Sequence, residues 1–179
     1  MKPRLLILSD LFGGENPDWI KQYTDLLQSK FEIQYYDVLK LANITVSNFT
    51  EMDVHNQFLN GGIDKAVDNL LELEKDKIAV LGFSIGGTIA WRAVLKGLKS
   101  SHLIAVSSTR LRYETHLPDC KVKLYFGEND KNKPDPQWFL NLDVPYEILE
   151  NELHQLYLDS KNAALISNFV LESFQYNDF

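Results

Sequence analysis

One run constrains the chain more than any other: Ile78-Ala79-Val80-Leu81-Gly82-Phe83-Ser84-Ile85-Gly86-Gly87-Thr88-Ile89-Ala90. Its first four residues read as a strand buried on both faces. A serine between glycines follows, and Ile85, Ile89, Ala90, Ala93 and Val94 then keep the apolar stripe of a helix. Strand, sharp turn and helix in that order are the setting of the G-x-S-x-G nucleophile elbow. The residue types follow from the geometry. A strained turn lifts the serine hydroxyl above the strand end, and side chains two residues to either side would collide, so Gly82 and Gly86 stand there. Gly87 lets the new helix lie close to neighbouring backbone. The helix N-terminus behind the serine offers free N–H groups and a partial positive charge, which suits a developing oxyanion. Ser84 is the candidate nucleophile; the plainer alternative is a small-residue turn between a strand and a helix.

Composition narrows the setting. At 179 residues, 45% hydrophobic and 24% charged, the chain is expected to form one globular domain spanning 1–179. Its net charge of −7 argues against a nucleic-acid partner or an anionic membrane surface. Cys120 is the only cysteine, so no disulfide framework and no thiolate metal site is expected. No apolar run approaches the roughly 20 residues that span a membrane. The N-terminal apolar core, Leu5-Leu6-Ile7-Leu8, is too short for a signal peptide, so a soluble cytoplasmic protein is expected.

Further strands are read at Leu5–Leu8, Phe31–Tyr36 (nearer an edge), Leu103–Val106, Val122–Phe126 and Tyr146–Leu149. Helices are read between them. The first has Asn16 as N-cap and Pro17 at its first position, with Trp19, Ile20, Tyr23, Leu26 and Leu27 on one face. Residues 38–60 carry few signals beyond a short helix around Met52–Leu59. Ile63, Val67, Leu70 and Leu71 mark a helix approached through Gly61-Gly62, and the elbow helix runs to about Gly97. Pro134–Leu142 and Leu156–Phe174 complete the set. About six alternations of strand and helix, with no repeat and no linker, predict an α/β fold: an open, mostly parallel sheet of about six strands with helices on both faces. In such sheets function gathers at the C-terminal strand ends.

A nucleophilic serine needs a base, and the base needs a carboxylate to orient it. Of four histidines, His102 starts a strand, at the wrong end of the sheet, and His55 and His116 lie in ill-defined polar segments. His154 follows the last strand, before the final helix, and is the candidate base. Phe126-Gly127-Glu128-Asn129-Asp130 leaves a strand and turns at once; Asp130 is the favoured acid, with Glu128 and Asp135 as competitors. Ser84, Asp130 and His154 give the chain order Ser…Asp…His that belongs to this elbow.

On these residues, together with Ser9-Asp10-Leu11-Phe12-Gly13 after the first strand, the chain resembles a small α/β-hydrolase, similar to the dienelactone-hydrolase-like branch. The resemblance implies a trimmed version of that fold, beginning at what corresponds to the third strand. It implies an oxyanion hole from the backbone N–H groups of Ile85 and Leu11, with Phe12 as the alternative second donor. Asp10 falls where dienelactone hydrolases carry a glutamate that contacts the nucleophile. Those enzymes use cysteine where this chain has Ser84, which favours general ester or thioester hydrolysis over dienelactone chemistry. Only thirteen residues separate Ser107 from Lys121, where many relatives insert a lid, so a shallow, open site is expected.

The expected activity is therefore a serine esterase or thioesterase acting on a small-molecule substrate without cofactor or metal. The competing reading is an inactive protein on the same fold that binds or regulates. A dinucleotide-binding domain is disfavoured, because Asp10-Leu11-Phe12-Gly13-Gly14 is not G-x-G-x-x-G and no P-loop occurs. Phe12, Phe83, Tyr113 and Trp138 are aromatic candidates for an acyl pocket. Arg110, just beyond a strand end, is the candidate for an anionic substrate group, or else pairs with Glu114 at the surface.

Overall fold

Strand β1 (Arg4–Leu8) shows how the layers arise. Leu5 and Ile7 pack with one group of core residues, Leu6 and Leu8 with another, and all four are fully buried. A period of two with apolar residues at every position demands cover on both faces. The computed structural model, which describes all residues but 1, 16, 46–49 and 175–179, provides it. Helices α1 (Asp18–Leu27) and α7 (Ser160–Ser173) cover the Leu5 face, α1 through Ile20, Tyr23 and Leu27 and α7 through Ala163, Ile166 and Val170. The Leu6 face takes α2 (Val38–Leu41), α3 (Glu51–Gln57), α4 (Ile63–Leu73), α5 (Ile85–Leu95) and α6 (Pro136–Leu142).

The sheet has six strands, all parallel, in the order β2-β1-β3-β4-β5-β6. The others are β2 (Glu32–Tyr36), β3 (Ile78–Phe83), β4 (Ser100–Val106), β5 (Lys121–Gly127) and β6 (Tyr146–Leu149). β3 is buried at every residue, while β2 and β6 at the edges are mixed. The register sets Leu8 beside Tyr36 on one side and Gly82 on the other. The loop after β1 is thereby delivered next to the elbow.

Several boundaries depart from the expectations above. The final helix begins at Ser160, with the Asp159 carboxylate accepting from the N–H groups of Lys161 and Asn162; Leu156–Leu158 is a separate 3₁₀ turn. The apolar pattern of Leu156 and Tyr157 belongs to that turn, where both are buried. Helix α6 starts at Pro136, capped by Asp135. Helix α1 starts at Asp18 with Pro17 in the cap position, and the expected cap Asn16 lies outside the described residues. Helix α3 opens with a Thr50–Asp53 capping box. Gly61-Gly62, the approach to α4, forms the end of a widened helical turn, Phe58–Gly62, which is kinked at Asn60 and Gly61 and joins α3 to α4.

Candidate active site

Strand β3 ends at Phe83 and α5 begins at Ile85, so the whole turn falls on Ser84, at φ 49° and ψ −117°. That backbone is costly for a residue with a side chain, by about 1–3 kcal/mol. Its surroundings hold it there: Ser84 N–H donates to the Val106 carbonyl at 2.8 Å. The start of α5 lies against the end of β1. A Cβ on Gly86 would sit 2.3 Å from the Ser9 carbonyl oxygen, so only glycine permits the approach. Ile85 N–H, at the first helical position, and Leu11 N–H, in the loop after β1, thus come to one side of the sheet. Neither has a hydrogen-bond partner among the described residues. Phe12 N–H, the alternative donor, is occupied instead by Asp10 Oδ1 at 3.2 Å.

His154 arrives from the far side. The loop after β6 crosses the end of β5 at Gly127, where a Cβ would meet the carbonyl oxygens of Glu152 and Leu153, each at 2.5 Å. His154 Nε2 lies 3.0 Å from Ser84 Oγ, and His154 Nδ1 lies 2.7 Å from Asp130 Oδ2. The second carboxylate oxygen of Asp130 accepts the Asn132 N–H at 3.0 Å, which fixes the carboxylate plane. Asp130 is buried, which pushes its pKa up, but the bonds from His154 and Asn132 outweigh burial and hold it below the ordinary carboxylate value. The competing acids have other partners: Glu128 accepts from Asn151 N–H and Asp135 caps α6. Among the described residues the structure thus brings Ser84, His154 and Asp130 into one relay.

Asp10 is not turned to the serine. It is buried, with Oδ1 on Phe12 N–H and Oδ2 accepting the Tyr157 hydroxyl at 3.0 Å, and its desolvation raises its pKa. The aromatic candidates separate. Phe83 is core, packed edge-on against Trp19 and Tyr23. Trp138 Nε1 donates to the Glu114 carbonyl, Tyr113 is exposed, and Phe12, 54% exposed, stands outside the cavity walls; aromatic type near a strand end carried no information about direction.

A cavity of about 570 Å³ opens over Ser84. Its walls include Leu11, Ile85, Thr88, Arg110 and His154, and also Glu51 and His55 from α3. The shallow site expected from the short 107–121 segment is therefore walled by a different segment, the one that was least legible. Burial is the main cause lowering the pKa of His55, with the charge of Arg110 adding to it. Arg110 is not paired with Glu114, which is taken by Arg92 at 2.7 Å. Its guanidinium carbon sits 5.1 Å from the Tyr113 ring centre, and its buried Nε has no partner among the described residues. His102 is buried in β4, as far along the strand as its Lys121 neighbour, and His116 is exposed. Among the described residues no group of three or more His, Cys, Asp or Glu side chains is placed to hold a metal ion, and no helix is long and apolar enough to cross a membrane.

No family model and no curated protein matches the sequence. Solved structures do resemble it. Alpha/beta hydrolase domain-containing protein 10 from mouse superposes with a TM-score of 0.68 at 12% identity, over 98% of this chain and 91% of that one. A dienelactone hydrolase-like promiscuous phosphotriesterase from metagenomic libraries gives 0.67 at 13% identity, over 96% and 86%. Carboxylesterase CesB from Bacillus subtilis gives 0.64 at 12% identity, over 95% and 82%. The parallel sheet, the elbow at the end of β3 and these superpositions show that the chain has the α/β-hydrolase fold.

Proposed function

We propose that the protein is a serine hydrolase that cleaves a small carboxylic ester or thioester through an acyl-enzyme on Ser84. The observation that carries the reading is the relay of two short contacts, Ser84 Oγ to His154 Nε2 at 3.0 Å and His154 Nδ1 to Asp130 Oδ2 at 2.7 Å, beside two N–H groups that have no partner among the described residues. That several solved structures of this fold are named as hydrolases, one of them a carboxylesterase, supports it.

The chemistry follows from the atoms. His154 donates a hydrogen bond from Nδ1–H to Asp130 Oδ2, which fixes the tautomer and leaves Nε2 with its lone pair toward Ser84 Oγ. As Oγ attacks the acyl carbon, its proton passes to Nε2, and the carbonyl π electrons move to the oxygen held by Leu11 and Ile85 N–H. The tetrahedral centre collapses, the bond to the alcohol or thiol breaks, and Nε2 gives its proton to the departing atom. A water then repeats the sequence, losing a proton to Nε2 and releasing the acid, while Oγ recovers its proton. Arg110, whose Nε at the cavity wall has no partner among the described residues, takes the role of binding an anionic group on the substrate.

A fluorophosphonate probe tests the reading. The parent protein should be labelled on Ser84 and Ser84→Ala should take no label, with turnover of an ester such as p-nitrophenyl acetate falling by several powers of ten. Label that persists in the alanine variant overturns the assignment of the nucleophile. A parent protein that takes no label returns the fold to a binding role.

A further inference from the structure

Tyr157 was invisible as a functional residue, yet three parts of the site meet on it. It lies three residues beyond His154 in the turn before α7, fully buried, its ring 6.5 Å centre to centre from the imidazole and nearly perpendicular to it. The same ring packs 5.5 Å from Phe83, the residue before the nucleophile, and 5.0 Å from Trp19. Its hydroxyl donates to Asp10 Oδ2 at 3.0 Å, while its own carbonyl accepts the buried hydroxyl of Tyr23 at 3.0 Å. The position of the Tyr157 oxygen is therefore fixed from both ends of the residue.

Asp10 carries that fix into the loop after β1. Its other oxygen takes the Phe12 N–H, and its carbonyl takes the Gly13 N–H at 3.2 Å, folding the loop into a tight turn. In that turn the two donors that follow Leu11, Phe12 N–H and Gly13 N–H, are both engaged, while Leu11 N–H has no partner among the described residues. A hydrogen bond between two buried groups holds geometry better than one at the surface, because no water competes for either partner. Burial keeps the Tyr157 phenol protonated and so always a donor.

We infer that Tyr157 and Asp10 form a positioning pair that aims the Leu11 N–H at the developing oxyanion and ties that aim to the loop bearing His154. The inference rests on reading Ser84 as the nucleophile. Neither residue touches substrate; they act through Leu11, so their effect falls on the chemical step and spares substrate affinity.

The test separates the chemical step from binding by resolving fluorophosphonate labelling into its maximal rate and its half-saturating concentration. Tyr157→Phe keeps the ring against Phe83, Trp19 and His154 and removes only the hydroxyl. Its maximal labelling rate should fall about tenfold, less than the roughly 10²–10³ lost when an oxyanion donor itself is removed, with half-saturation within about twofold. Asp10→Ala should lose at least as much. Asp10→Asn, whose amide oxygen still accepts Phe12 N–H and whose amide nitrogen meets the phenol oxygen, should stay within about threefold of the parent. A Tyr157→Phe protein that labels at the parent rate, or one whose loss lies in half-saturation, overturns the inference while leaving the nucleophile in place. So does an Asp10→Asn protein as slow as Asp10→Ala, even if Tyr157→Phe fails to fold. A parent that takes no label fails the proposed function first, and the pair's positioning role with it.

Discussion

Gly127→Ala puts the whole histidine arm of the site at stake through one methyl group. The backbone of Gly127 lies in regular strand β5, so alanine costs nothing in φ and ψ there; the cost is the space beside it. The new Cβ would lie 2.5 Å from two backbone carbonyl oxygens, those of Glu152 and Leu153, where ordinary contact needs 3.4 Å. Something must move by about 0.9 Å, and backbone oxygens cannot rotate out of the way as a flexible side chain does. The strand is pinned in the sheet, so the loop yields, although Glu152 is also held by the Asn129 N–H at 2.9 Å. His154 directly follows Leu153, one of the two residues in the clash, and moves with it. Its 3.0 Å contact with Ser84 Oγ then stretches past hydrogen-bonding distance. A misplacement near 1 Å costs about 10²-fold in rate, and overpacking of this kind costs about 1–3 kcal/mol in stability. For a chain of this size each kcal/mol lowers the melting point by about 2–4 °C. The assay is esterase turnover and fluorophosphonate labelling, with melting followed by circular dichroism. A roughly hundredfold loss in a folded protein is expected. Activity within threefold of the parent would refute the view that the histidine loop rests on Gly127.

Asp130→Asn should keep the fold and lower kcat by about 10⁴, because the amide favours the imidazole tautomer that cannot accept the Ser84 proton; turnover of p-nitrophenyl acetate measures it, and near-parent activity would transfer the role to another carboxylate. Arg110→Ala should abolish any preference for an ester bearing a distal carboxylate over its neutral analogue. A charge-assisted bond of about 1.5–3 kcal/mol makes that preference about 10- to 150-fold, and equal kcat/KM ratios in both proteins would leave Arg110 without a substrate role. Asp10 titrates the other way from Asp130. Its folded pKa is raised, so its contribution to stability is fully present below the unfolded pKa and is lost as pH rises through the folded one. The melting point of Asp10→Asn relative to the parent should therefore improve between pH 4 and pH 7, and a flat difference would count against the raised value.

What the sequence showed and hid follows physical lines. The buried strands were legible because continuous apolar runs such as Leu5–Leu8 and Ile78–Leu81 have few other uses, and the serine turn because steric crowding leaves glycine little competition. His154 and Asp130 were legible by position, each just beyond a strand end. The short helix around Met52–Leu59 is present as α3, but the two polar residues it sends into the cavity, Glu51 and His55, were not legible, because α3 buries only Val54 and shows no apolar stripe to orient them. Tyr157 was lost for another reason. Its apolar neighbours Leu156 and Leu158 continue the helix pattern, and the N-cap Asp159 that starts the helix anew sits inside that pattern. Arg110, read as lying just beyond a strand end, lines the cavity, but that Glu114 would be claimed by Arg92 is a matter of packing across α5 that spacing does not encode.

The strand order has a consequence for how the chain reaches this state. Val80 to Leu103, Leu103 to Val122 and Leu124 to Tyr146 are pairings across 23, 19 and 22 residues, while Leu5 to Ala79 spans 74. Closing the longer loop costs about 1 kcal/mol more in chain entropy, and non-local pairings of this kind set the pace of folding. The β1–β3 seam is also where the loop bearing Leu11 meets the turn bearing Ser84. A nascent chain can assemble β1, α1 and β2 early and the strands from β3 onward separately, each as a local unit. The loop bearing Leu11 and the turn bearing Ser84 are thus joined by the most distant of these strand pairings, so the two halves of the proposed site meet only once that closure is made.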